Sequence, residues 1–146
     1  MDLLKLVALD AEDLAVVSAH LQDALLRVSD VVYLPKERRF ALQTRRFDWE
    51  AKPDTPQRRL ACLHFEHVTA VRVRGIDQQN KDAVLSLLAM SYQERDAPSG
   101  TVTLIFAEGG AIQIDVECIE MQMKDVGPVW AAESRPSHDE QLAGRP

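Results

Sequence analysis

The stretch YLPKERRFALQTRRFDWE, Tyr33 to Glu50, decides how the chain is read, because here the apolar spacing changes from helical steps to alternation. Pro35 pre-sets φ for the first corner of a turn over Pro35–Arg38. From Arg38 to Phe47, successive side chains of a strand point to opposite faces. One face then carries Arg38, Phe40, Leu42, Thr44 and Arg46; the other carries Arg39, Ala41, Gln43, Arg45 and Phe47. The first face has the apolar middle and is expected to meet the core. Arg39, Gln43 and Arg45 then look to solvent, with Phe47 and Trp49 beside them as apolar anchors. Arg39 and Arg45 stand six residues apart. On an extended strand that is about 20 Å, too far to clamp one phosphate. The spacing suits an extended polyanion, an acidic protein surface or separate salt bridges.

Working outward, LLKLVAL (Leu3–Leu9) reads as a short strand. Asp10 fits a helix N-cap, and Asp13 takes the place of a capping-box acid. Leu14, Val17, Leu21, Ala24, Leu25 and Val28 recur at three- and four-residue steps. The spacing predicts an amphipathic helix over 11–27, with His20 at the edge of its stripe. Val31–Leu34 is a strand and Ala51–Gln57 a polar, proline-containing loop. Leu60–Glu66 and Val68–Arg74 form two strands or one long bulged strand. Val84–Glu94 is apolar on both faces and suits a central strand, a short buried helix being the alternative. TVTLIFA and AIQIDVECIEMQM flank Glu108–Gly109–Gly110, the clearest hairpin signal. In its second arm Ile112, Ile114, Val116 and Cys118 are expected to face in, and Gln113, Asp115 and Glu117 out. Gly127–Pro128 is expected to end the sheet, with Trp130 packing back on it.

A chain of 146 residues can build one core without staples. The fold expected is α+β: a bent or rolled antiparallel sheet of about six to eight strands carrying one N-terminal helix. Residues 1–132 form this single domain, and the polar segment 133–146 is expected to be a flexible tail. The net charge is -6, yet Lys36–Arg74 holds ten Lys/Arg against five Asp/Glu. Such asymmetry can steer an oppositely charged partner. A pI near 5.2 without a reader motif argues against sequence-specific nucleic-acid binding. An aromatic fraction of 5% argues against stacking platforms for single strands. The N-terminus lacks a basic region before its apolar run, and no apolar run reaches membrane-spanning length. The expectation is a cytoplasmic protein that does not enter a membrane.

Motifs for chemistry are sparse. Cys62 and Cys118 form no CxxC pair and are expected to be buried thiols. His64, Glu66 and His67 form HFEH, which supplies too few ligands for zinc and is not HExxH. Asp115 and Glu117 share a face about 7 Å apart, a spacing open to acid–base work but more ordinary for a solvated face. No nucleophile elbow or phosphate loop occurs. No cofactor or metal is expected.

The segments LKLVALDAEDLAVVSAHLQDA, YLPKERRFAL, RRFDWE, LHFEHV and GTVTLIFAEGGAIQIDVECIE resemble, in this order, an uncharacterised alphaproteobacterial family, domain of unknown function 2948. The resemblance runs from Leu3 to about Asp139. It implies a single-domain cytoplasmic bacterial protein and carries over no catalytic or ligand residues. The expected function is therefore a non-enzymatic interaction domain whose basic strand face meets an acidic protein through Arg39, Gln43, Arg45, Phe47 and Trp49. The alternatives are an enzyme or small-ligand binder with a pocket between helix and sheet using His20 or His64, and a homodimer built by edge pairing or by Met121 and Met123.

Overall fold

The structure, a computed structural model, describes residues 3–52 and 54–131, with 128–131 by backbone alone. The expectations for the Trp130 side chain and the 133–146 tail lie outside the described residues.

The elements are β1 (Lys5–Ala8), α1 (Ala11–His20), β2 (Ala24–Arg27), β3 (Val31–Leu34), β4 (Arg39–Phe47), β5 (Gln57–Phe65), β6 (Val68–Arg74), β7 (Val84–Glu94), β8 (Gly100–Phe106), β9 (Ala111–Val116) and β10 (Met121–Ala131). The strands form one ten-stranded antiparallel sheet in the order β1-β10-β5-β4-β2-β7-β8-β9-β6, with β3 paired to β4. It does not close: β1 and β6 are the ends of that path. The α+β class holds, with more strands than the six to eight expected.

The extra strands come from segments whose periods are ambiguous. The helix stops at His20 instead of reaching residue 27. Asp23 takes a left-handed φ of 65°, which breaks the helical path, and its N–H donates to the Leu87 carbonyl at 2.7 Å. ALLR then alternates, with Ala24 and Leu26 fully buried between β4 and β7. Its apolar residues satisfy period 3.6 and period 2 alike, so tertiary pairing decides. The N-cap holds: Asp10 Oδ1 accepts from Asp13 N at 2.8 Å, while Asp13 Oδ2 accepts from Leu9 N at 3.2 Å. Leu14 and Val17 bury one helix face, and Ser18 Oγ accepts from Met90 N on β7.

The Gly127–Pro128 pair does not end the sheet. β10 continues to Ala131 through a register shift between Asp125 and Val129, where the missing proline N–H falls outside regular pairing. At the other boundary left open, His67 turns the chain with φ 59°, so β5 and β6 are separate, and β6 pairs with β9 rather than β5. The β8–β9 hairpin forms as expected, but its second arm breaks after Val116. Ile119 is buried there, while Cys118 is only half-buried, as is Cys62; both thiols are free. Met121 and Met123 are 1% and 0% exposed, so they belong to the core and offer no dimer surface.

The core lies on the face of β4 that carries Phe40 and Leu42, against Leu63 and Phe65 of β5, Leu26, Leu104 and Ile114. This is the face that alternation assigns to the core.

Candidate functional site

The opposite face of the same strands is built by register. Gln43 pairs with Cys62, Cys62 with Lys124, and Lys124 with Lys5, making one row across β4, β5, β10 and β1. The next row runs Ala41, His64, Gln122 and Val7. Lys5 and Lys124 are both exposed and directly opposite, and neither makes an ion pair among the described residues. Arg39 and Gln43 are exposed here too, beside a groove of about 480 Å3 lined by Val32, Arg39, Gln43, Cys62 and His64 among others.

Each expected site residue has a definite place. Arg39 gives two hydrogen bonds to Glu66, at 2.8 and 3.2 Å, so part of its charge is answered locally. Gln43 is exposed and Arg45 half-buried. Phe47 is 1% exposed and packs edge-on to Trp49 at 4.7 Å, with the Arg58 guanidinium 5.7 Å from its ring. Trp49 is half-buried and donates its indole N–H to the Gln22 carbonyl. Phe47 is therefore packed inside at the end of β4 instead of standing at the surface, and Trp49 keeps part of its ring exposed. Phe47 is the last paired residue of β4, opposite Arg58, and Trp49, two residues on, reaches the backbone just before β2. Arg72 and Arg74 do not join the basic face, because β6 lies at the far end of the sheet.

On the core face, Arg46 sits opposite Arg59. Like charges in that position repel, so each needs its own carboxylate. Arg46 donates Nε and Nη2 to the two Asp125 oxygens, both at 2.8 Å, with side chains 2% and 0% exposed. Arg59 Nε donates to Asp48 Oδ2 at 2.8 Å. Burial pushes the Asp48 pKa up, but the Arg59 bond and the Glu50 N–H outweigh it, and the net result lies below the ordinary value. Asp125 also accepts from Leu4 N and its own N–H reaches the Leu4 carbonyl, which pins the start of the described chain to β10. The sequence placed Arg46 on the core face, which signals a buried carboxylate partner. Its identity, Asp125, lay 79 residues away and had no local signal.

A family model described as Protein of unknown function (DUF2948) matches residues 4–138. The chain belongs to that family. No curated protein and no solved structure matches it.

The family match takes in both faces but assigns neither a role. In this DUF2948 chain the HFEH histidines part company. His64 Nδ1 meets Glu66 Oε2 at 2.8 Å and its Nε2 meets Gln122 Oε1 at 3.0 Å. His67 instead meets Glu120. Burial raises the Glu66 pKa, but bonds from Arg39 and His64 hold it below the ordinary value. Asp115 is held down chiefly by the Arg72 hydrogen bonds, with Thr101 adding another, and Glu117 pairs with Arg38. Asp115 and Glu117 thus have separate cationic partners rather than a shared proton. Among the described residues, no group of three or more His, Cys, Asp or Glu is placed to hold a metal. No described helix is long and apolar enough to cross a membrane. His20 is half-buried, its Nδ1 has no hydrogen-bond partner among the described residues, and it lines none of the three cavities described.

Proposed function

We propose that this is a binding domain, and that the outward face of β4, β5, β10 and β1 takes an extended acidic segment of a partner protein. The observation that carries this reading is the directly opposed, exposed Lys5–Lys124 pair. Two like charges facing each other destabilise a sheet, and an acidic partner removes that cost. Arg39, Gln43 and Arg45 extend the face along β4, and the His64 groove lies between. The row from Lys5 to Gln43 crosses three strand spacings, about 14 Å, which suits a segment laid across the strands. Phe47, being buried, supports β4 from within instead of touching the partner.

Binding is favoured over proton transfer at the same face. Both His64 ring nitrogens have partners, and Glu66 is held as a carboxylate by Arg39. Neither is left free as a general acid or base.

The test is fluorescence anisotropy with a labelled Asp/Glu-rich peptide at low salt. The native chain should bind, more weakly as salt rises. Lys5→Glu with Lys124→Glu should weaken it by about tenfold or more, with Tm retained. Equal binding by native and reversed chains would refute the reading. So would tighter binding of a single-stranded oligonucleotide of the same charge.

A further inference from the structure

Exposed aliphatic side chains are ordinary when they stand singly; a joined set is what calls for a partner. Leu3 and Val126 are 55% and 44% exposed. β1 and β10 set Lys5 against Lys124, and the bond from Asp125 N to the Leu4 carbonyl carries that register one step further. The next step sets Leu3 against Val126. Leu4 packs on the core and Asp125 is buried with Arg46, so Leu3 and Val126 point outward like the two lysines. The strip continues on β5 with half-buried Leu60. Gly127 beside it carries no side chain; a Cβ there would come within 3.1 Å of Leu60 Cδ2. Leu60 pairs in turn with Arg45, which makes no ion pair among the described residues. Two residues along the strands, about 7 Å away, runs the row Lys5, Lys124, Cys62 and Gln43. Neither row contains a carboxylate. Around Leu3, Asp125 is held by Arg46 and Asp48 by Arg59, while Glu50 shares its cavity lining with Lys52.

We propose that the partner segment alternates acidic and aliphatic residues, its acids meeting Lys5 and Lys124 and its aliphatic side chains covering Leu3, Val126 and Leu60. This rests on the acidic-segment reading of the lysine face and narrows the chemistry of the partner. An extended chain sends successive side chains to opposite sides. Laid across the strands between the two rows, it turns one set toward the lysines and the other toward the aliphatic strip. Side chains on one side of an extended segment recur at about 7 Å, so the roughly 14 Å from β1 to β4 takes about two of each kind. A uniformly acidic segment would hold every second carboxylate over Leu3, Val126 and Leu60, losing water without gaining a cation. A uniformly aliphatic segment would leave the opposed lysines unanswered. Alternation satisfies both rows, and Arg45 closes the far end of the strip with one more cation.

The experiment is fluorescence anisotropy of the full chain at low salt with three labelled octapeptides of equal charge. One alternates Asp and Leu, one alternates Asp and Ser, and one has its Asp residues in one block and its Leu residues in another. The alternating Asp–Leu peptide should bind at least about tenfold more tightly than either of the others. Leu3→Ser with Val126→Ser should bring it down to the Asp–Ser level while leaving Asp–Ser binding unchanged. Lys5→Glu with Lys124→Glu should weaken all three. Equal binding of the three peptides to the native chain overturns this inference and leaves the acidic-segment reading standing. Binding of none of them refutes both. An unchanged preference for the Asp–Leu peptide in a folded Leu3→Ser, Val126→Ser chain overturns the placement on this strip. Tighter binding to phosphatidylglycerol vesicles than to the Asp–Leu peptide overturns the inference in favour of a lipid surface. Should the serine variant fail to fold, the three-peptide comparison on the native chain decides.

Discussion

Arg46→Met removes a charge from the most enclosed ion pair described while keeping most of the side-chain stem. Asp125 then loses two hydrogen bonds of 2.8 Å and keeps the Leu4 N–H at 2.9 Å, with its side chain 0% exposed. Water cannot replace the guanidinium without opening the sheet. Stranding one member of a buried pair costs about 3–5 kcal/mol. Domains of this size have roughly 5–15 kcal/mol in all, so the variant stands near the edge of folding. At about 3–4 °C per kcal/mol, Tm should fall by roughly 10–20 °C. Adding Asp125→Leu should restore most of that loss, because apolar replacement of both partners removes the stranded charge. A residue of about 1 kcal/mol should persist from the Leu4 N–H left without its acceptor. Urea unfolding of the native chain, both single variants and the double variant forms the cycle. A single-variant cost below about 1 kcal/mol, or a double variant that loses the sum of the singles, would refute the reasoning.

Three further outcomes follow from named contacts. Asp48, Glu66 and Asp115 all have folded pKa values below their ordinary ones, so their stabilisation is present above the unfolded values, 3.8 for Asp and 4.5 for Glu, and is lost as pH falls through the folded values. Tm should therefore be level from neutral pH to about 5 and drop below about 4, with a shallower drop in Glu66→Gln, as read by thermal scans across pH. Asp10→Ala deletes the acceptor for Asp13 N and should cost about 1 kcal/mol in urea, with Asp10→Asn nearly neutral. Gly75→Ala meets the Gly109 carbonyl oxygen at 2.8 Å with φ at +65°, whereas Gly109→Ala at φ +88° has nothing within 4 Å. The first should cost more than the second, which carries only the backbone penalty of about 1 kcal/mol; equal losses would contradict the clash.

Alternation alone placed Phe40, Leu42, Thr44 and Arg46 inward and left Arg39 and Gln43 outward, because a strand's two faces are set by adjacent residues. The N-cap at Asp10 and the β8–β9 hairpin were legible for the same reason: their signals lie within a few residues. The segment 24–27 was not, since its apolar residues fit either period until β7 supplied a backbone acceptor and a facing strand. Nor was the end of the sheet at Gly127–Pro128, where a register shift absorbs the proline. The candidate sites divide in the same way. Arg39 and Gln43 could be read from one strand, but Lys5 and Lys124 reach that face only through pairing of the first strand with the last. Asp125 likewise reaches Arg46 only in the folded chain. Neighbouring residues determine which way a side chain points. Which charges it meets depends on strand order, and strand order is a property of the whole sheet.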